Sequence, residues 1–192
     1  APFFGGTYFP KEPRYNLPGF PQLLERVAQL YREQRAEIGR QNETLLATFQ
    51  NMHAGVPAHH SELSAAPLDE GLRSLKTSFD SRYGGFGGAP KFPHPAELEF
   101  CLRRSAAGGD GAAQRVATTT LERMALGGIY DQLGGGFARY SVDAQWQIPH
   151  FEKMLYDNGP LLRLYADAWT ATRNPLFAWV AAETAAWVMR EM

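Results

Sequence analysis

Phe79-Asp80-Ser81-Arg82-Tyr83-Gly84-Gly85-Phe86 and Tyr130-Asp131-Gln132-Leu133-Gly134-Gly135-Gly136-Phe137 are two copies of one loop, 51 residues apart. An aromatic residue, an Asp, a Gly pair and a Phe recur in register. A second echo follows, with Pro93-His94 before one helical pattern and Pro149-His150 before another. Between and after the loops, apolar residues fall at helical spacing. Leu68, Leu72, Leu75 and Phe79 mark one helix; Leu98, Cys101 and Leu102 the next; Val116, Thr120, Leu121 and Met124 a third. Phe151, Met154, Leu155, Leu162, Tyr165 and Trp169 mark a fourth, which Pro160 should kink or break. Phe177, Val180, Ala181, Thr184, Trp187 and Val188 mark a fifth. Two helices per period of about 50 residues are the mark of a helical-hairpin array. The fold class expected is therefore mainly α. Such arrays need about three or more units to bury their faces, and two full units are legible here, an expectation of truncation.

N-terminal to the array the texture changes. Phe3, Phe4, Tyr8 and Phe9 flank Gly5-Gly6 and predict two short strands around a tight turn. From Phe20 a helical face runs through Leu23, Leu24, Val27, Leu30 and Tyr31, and Ile38, Leu45, Phe49 and Met52 continue it loosely. Residues 53–67, with Gly55, Pro57 and Pro67, read as a linker between an N-terminal part (1–52) and the helical part (68–192).

Composition excludes several classes. Lys plus Arg number 19 and Asp plus Glu 20, a net charge of -1, so no basic excess draws a phosphate backbone and no nucleic acid is expected. Apolar runs are too short for a membrane span, and Ala1 to Pro10 lack the regions of a signal peptide; a cytoplasmic location is the expectation. The single Cys101 leaves no internal disulfide and no redox pair, and its apolar neighbours Leu98 and Leu102 predict a buried, inert thiol. No metal is expected: His59-His60 are adjacent but lack further ligands at metal spacing. The glycine runs are not phosphate loops, and no cofactor is implied.

The candidate site lies in the long loops. Residues 127–150 form a connection of 24 residues rich in aromatics, and long loops in compact domains are usually functional. Tyr130, Phe137, Tyr140 and Trp146 are candidate stacking residues, with Arg139, Asp143, Lys91 and His94 as polar partners. Aromatic faces with planar polar groups suit a sugar. The competing reading is that these aromatics plug the hairpin junctions. Residues 136–143 and 146–149 could also form a small hairpin. A helix opening at His150 would place His150, Lys153 and Asp157 on one face, with Glu152 off it. That stripe could transfer protons near neutral pH, or be no more than surface pairing. With Asp131 these three are the candidate catalytic residues.

Phe3-Phe4-Gly5-Gly6-Thr7-Tyr8-Phe9-Pro10, Tyr83 to Pro95, Gly128 to Phe137 and Pro149 to Asn158 together resemble one largely uncharacterised family. Its members, the spermatogenesis-associated thioredoxin-like proteins among them, carry an N-terminal thioredoxin-like domain followed by a six-hairpin (α/α)6 barrel. The resemblance implies that residues 1–52 are the last hairpin and C-terminal helix of the thioredoxin-like domain. It implies that residues 68–192 are the first hairpins of a partial (α/α)6 toroid similar to N-acylglucosamine 2-epimerases and six-hairpin glycosidases. Gly159-Pro160 departs from the family pattern.

The function this implies is that of a fragment of a carbohydrate-active protein, epimerase-like or glycosidase-like, inactive in isolation. Its partner would be a small sugar-like substrate, and the fragment would self-associate through uncovered helix faces. His150 would act as acid/base, Asp157 would orient it, and Lys153 or Arg139 would hold an oxyanion or hydroxyl. The rival is a thioredoxin-like redox or protein-handling module with a helical client-binding scaffold.

Overall fold

The computed structural model describes residues 3–53 and 64–192. The chain divides into two compact units, Ala1–Leu63 and Ser64–Met192. Most of the stretch 53–67 read as a linker, including His59-His60, lies outside the described residues.

In the first unit the helical pattern from Phe20 resolves into two helices, α1 (Phe20–Glu33) and α2 (Arg35–His53). Gly19 precedes α1 in extended conformation and Pro21 occupies its first turn. The break falls at Gln34, whose φ of -123° and ψ of 33° leave the helical region while its N–H still closes on Leu30. The hairpin expected around Gly5-Gly6 is not formed, since residues 3–10 carry no bridge. A lone hairpin has no sheet to lie on, and the aromatics pack elsewhere: Phe9 on Phe20 at 5.6 Å and Phe3 on Tyr31 at 5.2 Å between ring centroids.

The second unit is an array of helices α3 (Ala66–Ser78), α4 (Pro95–Gly108), α5 (Gly111–Ala125), α6 (Leu155–Thr172) and α7 (Pro175–Glu191). With no strand among the described residues, the protein is mainly α, as the sequence predicts. Two tight connections set the hairpins. Gly109, at φ 69°, ends α4, and the Asp110 carboxylate accepts the N–H groups of Ala112 and Ala113 at 3.0 Å to start α5. Arg173 and Asn174 repeat the device between α6 and α7. The α4–α5 and α6–α7 hairpins pack on each other through α4 against α6 and α5 against α7. Leu98, Cys101, Leu121, Met124, Leu161, Leu164, Phe177 and Val180 are fully buried between them. Burial pushes the Cys101 thiol up to about 11, which keeps it an unreactive core group.

The α3–α4 and α5–α6 connections are long, and alternation of helix direction brings both to the same end of the array. Two expectations change there. The helix expected to open at His150 starts at Leu155. Pro160 does not break it, because it lies in the second turn, where its missing N–H removes one bond only.

Candidate functional site

The two homologous loops close on the same clamp. In the first, the Asp80 carboxylate accepts the N–H groups of Arg82 and Tyr83 at 2.9 and 3.0 Å, and the Lys91 ammonium donates to Asp80 at 2.8 Å and to the Gly84 carbonyl at 2.7 Å. In the second, Asp131 accepts from Leu133 and Gly134 at 3.0 and 2.9 Å, and Lys153 donates to Asp131 at 2.7 Å and to the Gly135 carbonyl at 2.8 Å. A tryptophan covers each ammonium, Trp146 at 5.5 Å from Lys91 and Trp187 at 5.1 Å from Lys153. Gly84 and Gly135 both sit at φ 73°; a Cβ would stand 2.7 Å from the Thr120 Cα in one loop and 2.5 Å from the Glu183 carbonyl oxygen in the other. Glycine is therefore required twice, for conformation and for approach.

Electrostatics follow from these contacts. Lys91 is 0% exposed, and a bare ammonium there would cost several kcal/mol; Asp80 and Gly84 satisfy it. Burial works against the Asp80 charge, but Lys91 and the loop N–H groups outweigh it and hold the carboxyl below the usual range. Lys153, with the Gly134 and Leu133 N–H groups, pulls Asp131 down to about 2.

Next to the clamps, three extended segments meet at single antiparallel bridges, Lys91 with Ser141 and Ser141 with Pro149. The small hairpin expected between residues 136–143 and 146–149 exists in this reduced form. Alternation of the extended backbone splits its residues between two faces. Lys91 and Ser141 point inward and are buried. Phe92, Tyr140 and His150 line up on the other face as a ladder of stacked rings, Phe92 to Tyr140 at 4.8 Å and Tyr140 to His150 at 4.6 Å. At one end His94, held at φ 48°, turns its edge to Phe92 and Phe86 and places Nδ1 3.1 Å from a Glu97 carboxylate oxygen. At the other, Glu152 stands 3.8 Å from His150 Nδ1 and 3.3 Å from the Arg139 guanidinium. Asp157 follows on α6. Burial pushes its carboxyl up, Arg139 opposes the shift and Glu152 adds to it, and one carboxylate oxygen has no partner among the described residues.

The expected site residues are thus redistributed. His150, Lys153 and Asp157 do not form a helical stripe. The His150 N–H is taken by the Tyr140 carbonyl at 2.9 Å, so the chain there is extended, and Lys153 turns to Asp131. Tyr130, Phe137 and Trp146 were expected as an exposed stacking wall with Tyr140; they are buried, and only Tyr140 presents a ring. Phe137 stacks on Tyr165 at 5.2 Å, and the Trp146 indole donates to the Tyr83 carbonyl at 2.8 Å. Asp143 is spent on its own turn. Burial opposes its charge, but the N–H groups of Gln147, Ile148 and Gln145 hold the carboxyl below its usual value. Phe92 and Glu152 were missed as site residues. Extended backbone at Pro149-His150, which follows from a proline preceded by a strand-like Trp-Gln-Ile run, would have placed Glu152 beside His150.

Fold and site define a class: an array of α-hairpins whose inter-hairpin loops carry a repeated Lys–Asp–Gly clamp and an exposed aromatic ladder. Residues 1–50 match a thioredoxin-like family described as "Protein of unknown function, DUF255". The chain is 38% identical over 171 residues to an uncharacterized protein of Caenorhabditis elegans, covering 86% of this chain and 23% of that one. It is 36% identical over 197 residues to spermatogenesis-associated protein 20 of Rattus norvegicus and 35% identical to that of Homo sapiens, covering all of this chain and 25% of each. These matches support a thioredoxin-like family, and the chain spans about a quarter of the length of these relatives.

Proposed function

We propose that the Phe92–Tyr140–His150 ladder is the ligand face of a carbohydrate-active protein whose helical hairpins belong to an (α/α)6 barrel of the six-hairpin glycosidase or N-acylglucosamine 2-epimerase type. The observation that carries the reading is the ladder itself, three stacked rings at the loop end with His150, Glu152 and Arg139 in one cluster beside it. A pyranose packs its C–H face on such rings while its hydroxyls meet the carboxylate and guanidinium. His150 is the acid/base, and Glu152 takes the orienting role that the sequence assigns to Asp157. Asp157, whose carboxyl burial pushes up, is the second acid/base group, on α6. Epimerisation would use His150 beside a carbonyl, and hydrolysis would use the Glu152 and Asp157 carboxyls. Arg139 holds the developing oxyanion. Lys153, Asp131 and Lys91 are positioning residues that fix the segments bearing the ladder. The proposed setting is cytoplasmic, the substrate a small sugar, with no nucleic-acid or membrane partner; no helix among the described residues is long and apolar enough to cross a membrane.

The test is ligand-observed NMR of the chain with a panel of reducing sugars and disaccharides. At least one sugar should show saturation transfer that Tyr140→Ala abolishes and Asp167→Asn, at an exposed position of α6, leaves in place. Absence of binding across the panel, or binding indifferent to Tyr140→Ala, would refute the ladder. For the protein at the length of its relatives, deuterium entering next to the carbonyl in heavy water would mean epimerisation, and release of monosaccharide would mean hydrolysis.

A second reading, a thioredoxin-like redox or protein-handling module with the hairpins as client scaffold, is favoured by the match over residues 1–50. A cysteine pair with a depressed thiol pKa upstream in a longer form would support it.

A further inference from the structure

The three extended segments beside the clamps invert the usual pattern of a sheet. An antiparallel sheet with one solvated face turns its apolar residues in and its polar residues out. Here Lys91 and Ser141 are inward and buried, and the outward face is apolar. Register sorts that face into two rungs. Lys91 and Ser141 exchange both backbone bonds, at 2.8 and 2.9 Å. The Val142 N–H bonds the Ile148 carbonyl at 2.8 Å and the His150 N–H the Tyr140 carbonyl at 2.9 Å, on either side of the Ser141–Pro149 bridge. Residues directly opposite one another share a face. The first rung is the Phe92–Tyr140–His150 ladder. The second, two residues along each segment and about 7 Å away, is Pro90, Val142 and Ile148. Val142 and Ile148 are 51% and 58% exposed, and Pro90 is exposed with them.

The rungs differ in what they can hold. The first offers ring faces with His150, Glu152 and Arg139 at its end. The second has no aromatic face and no side-chain hydrogen-bonding group. Asp143, the next residue along, spends its carboxylate on the N–H groups of Gln145 and Ile148, each at 2.6 Å. Hydroxyls of a second sugar would lose water there without replacement, which is costly, whereas a saturated chain gains by leaving water. The face does not call for an ion either: Glu152 lies 3.3 Å from the Arg139 guanidinium, and Glu97 lies 3.1 Å from His94. We infer that the second rung seats an apolar aglycone, so that the ligand is a neutral glycoside of a saturated alkyl chain. The inference rests on the reading of the ladder as a sugar face and narrows it. The anomeric carbon of such a ligand is masked, which sets epimerisation aside and leaves hydrolysis, water taking the place of the alkyl alcohol at that carbon.

The experiment is an NMR titration of the 192-residue chain with the methyl and hexyl glycosides of glucose, galactose, mannose and N-acetylglucosamine, with 1-hexanol as the sugar-free probe. It follows the Val142 and Ile148 methyls and the Tyr140 and His150 rings. For at least one sugar the hexyl glycoside should shift all four side chains saturably and bind at least ten-fold more tightly than the methyl glycoside, since two buried methylenes are worth about that. Val142→Ser and Ile148→Ser, at exposed positions, should each weaken the hexyl glycoside at least five-fold and leave the methyl glycoside and the unfolding midpoint unchanged. Hexanol should bind at least ten-fold more weakly than the hexyl glycoside. A methyl glycoside that shifts Tyr140 and His150 but gains nothing from the hexyl chain, or hexyl binding indifferent to both serine variants, would overturn the inference and leave the sugar face standing. No shift at Tyr140 or His150 with any glycoside would remove both. Hexanol binding as tightly as the hexyl glycoside would make the rung a bare apolar surface, and Val142 and Ile148 shifts that follow protein concentration without ligand would make it a contact between copies; either would overturn the inference.

Discussion

Lys91 and Lys153 make the same three contacts at different depths, and that difference sets what each contributes. Lys91 has no exposed surface, whereas the Lys153 side chain keeps 23% of its own. Removing one partner of a buried pair strands the other and costs about 3–5 kcal/mol. Lys91→Met should therefore lower stability by about that much, and Lys153→Met by clearly less, as read from urea midpoints of the two variants. Asp131 adds a pH signature. Its carboxyl ionises near 2 in the folded chain and near the ordinary 3.9 in the unfolded one. A depressed folded value stabilises the fold above pH 4, and that contribution disappears as pH falls toward 2. Unfolding midpoints measured between pH 6 and pH 2 should converge for wild type and Asp131→Asn at the acid end and diverge above it.

Asn158 joins loop to helix. Fully buried in the second turn of α6, its side-chain oxygen accepts the Phe137 N–H at 2.7 Å, and its amide donates to the Phe137 and Met154 carbonyls at 3.0 Å. Asn158→Ala leaves the Phe137 groups unpaired, and a loss of about 2–3 kcal/mol should appear in thermal unfolding. The loop repeat and the helices it separates were legible in the sequence because each depends on local spacing: Asp and Gly at fixed offsets, apolar residues at three and four. What was not legible came from pairing across distance. The start of α6 moved from His150 to Leu155 because Tyr140 takes the His150 N–H, a partner ten residues back that no periodicity shows. For the same reason Trp146 was read as a surface ring. Its burial depends on the Tyr83 carbonyl, 63 residues away. The clamp lysines were also open to two readings, since a Lys near an Asp in sequence terms does not reveal that Gly84 and Gly135 carbonyls complete the cage.

The whole molecule is two units, each described by its own packing, and the helical unit leaves apolar side chains uncovered. Trp179 and Met189 on α7 and Leu68 on α3 are exposed, and uncovered apolar faces recruit partners. Sedimentation at micromolar concentration should show self-association; a monodisperse monomer would count against the partial-toroid proposal. The central claim is a division of labour at the loop end, with the Lys–Asp–Gly clamps as scaffold and the Phe92–Tyr140–His150 ladder as ligand face. Its most direct test is a side-chain NMR map of the chain titrated with the sugar that binds best. The prediction is that the Tyr140 and His150 ring resonances shift saturably while the Lys153 and Lys91 ammonium signals stay where they are. Shifts confined to the lysines, or none at Tyr140 and His150 with any sugar, would contradict it.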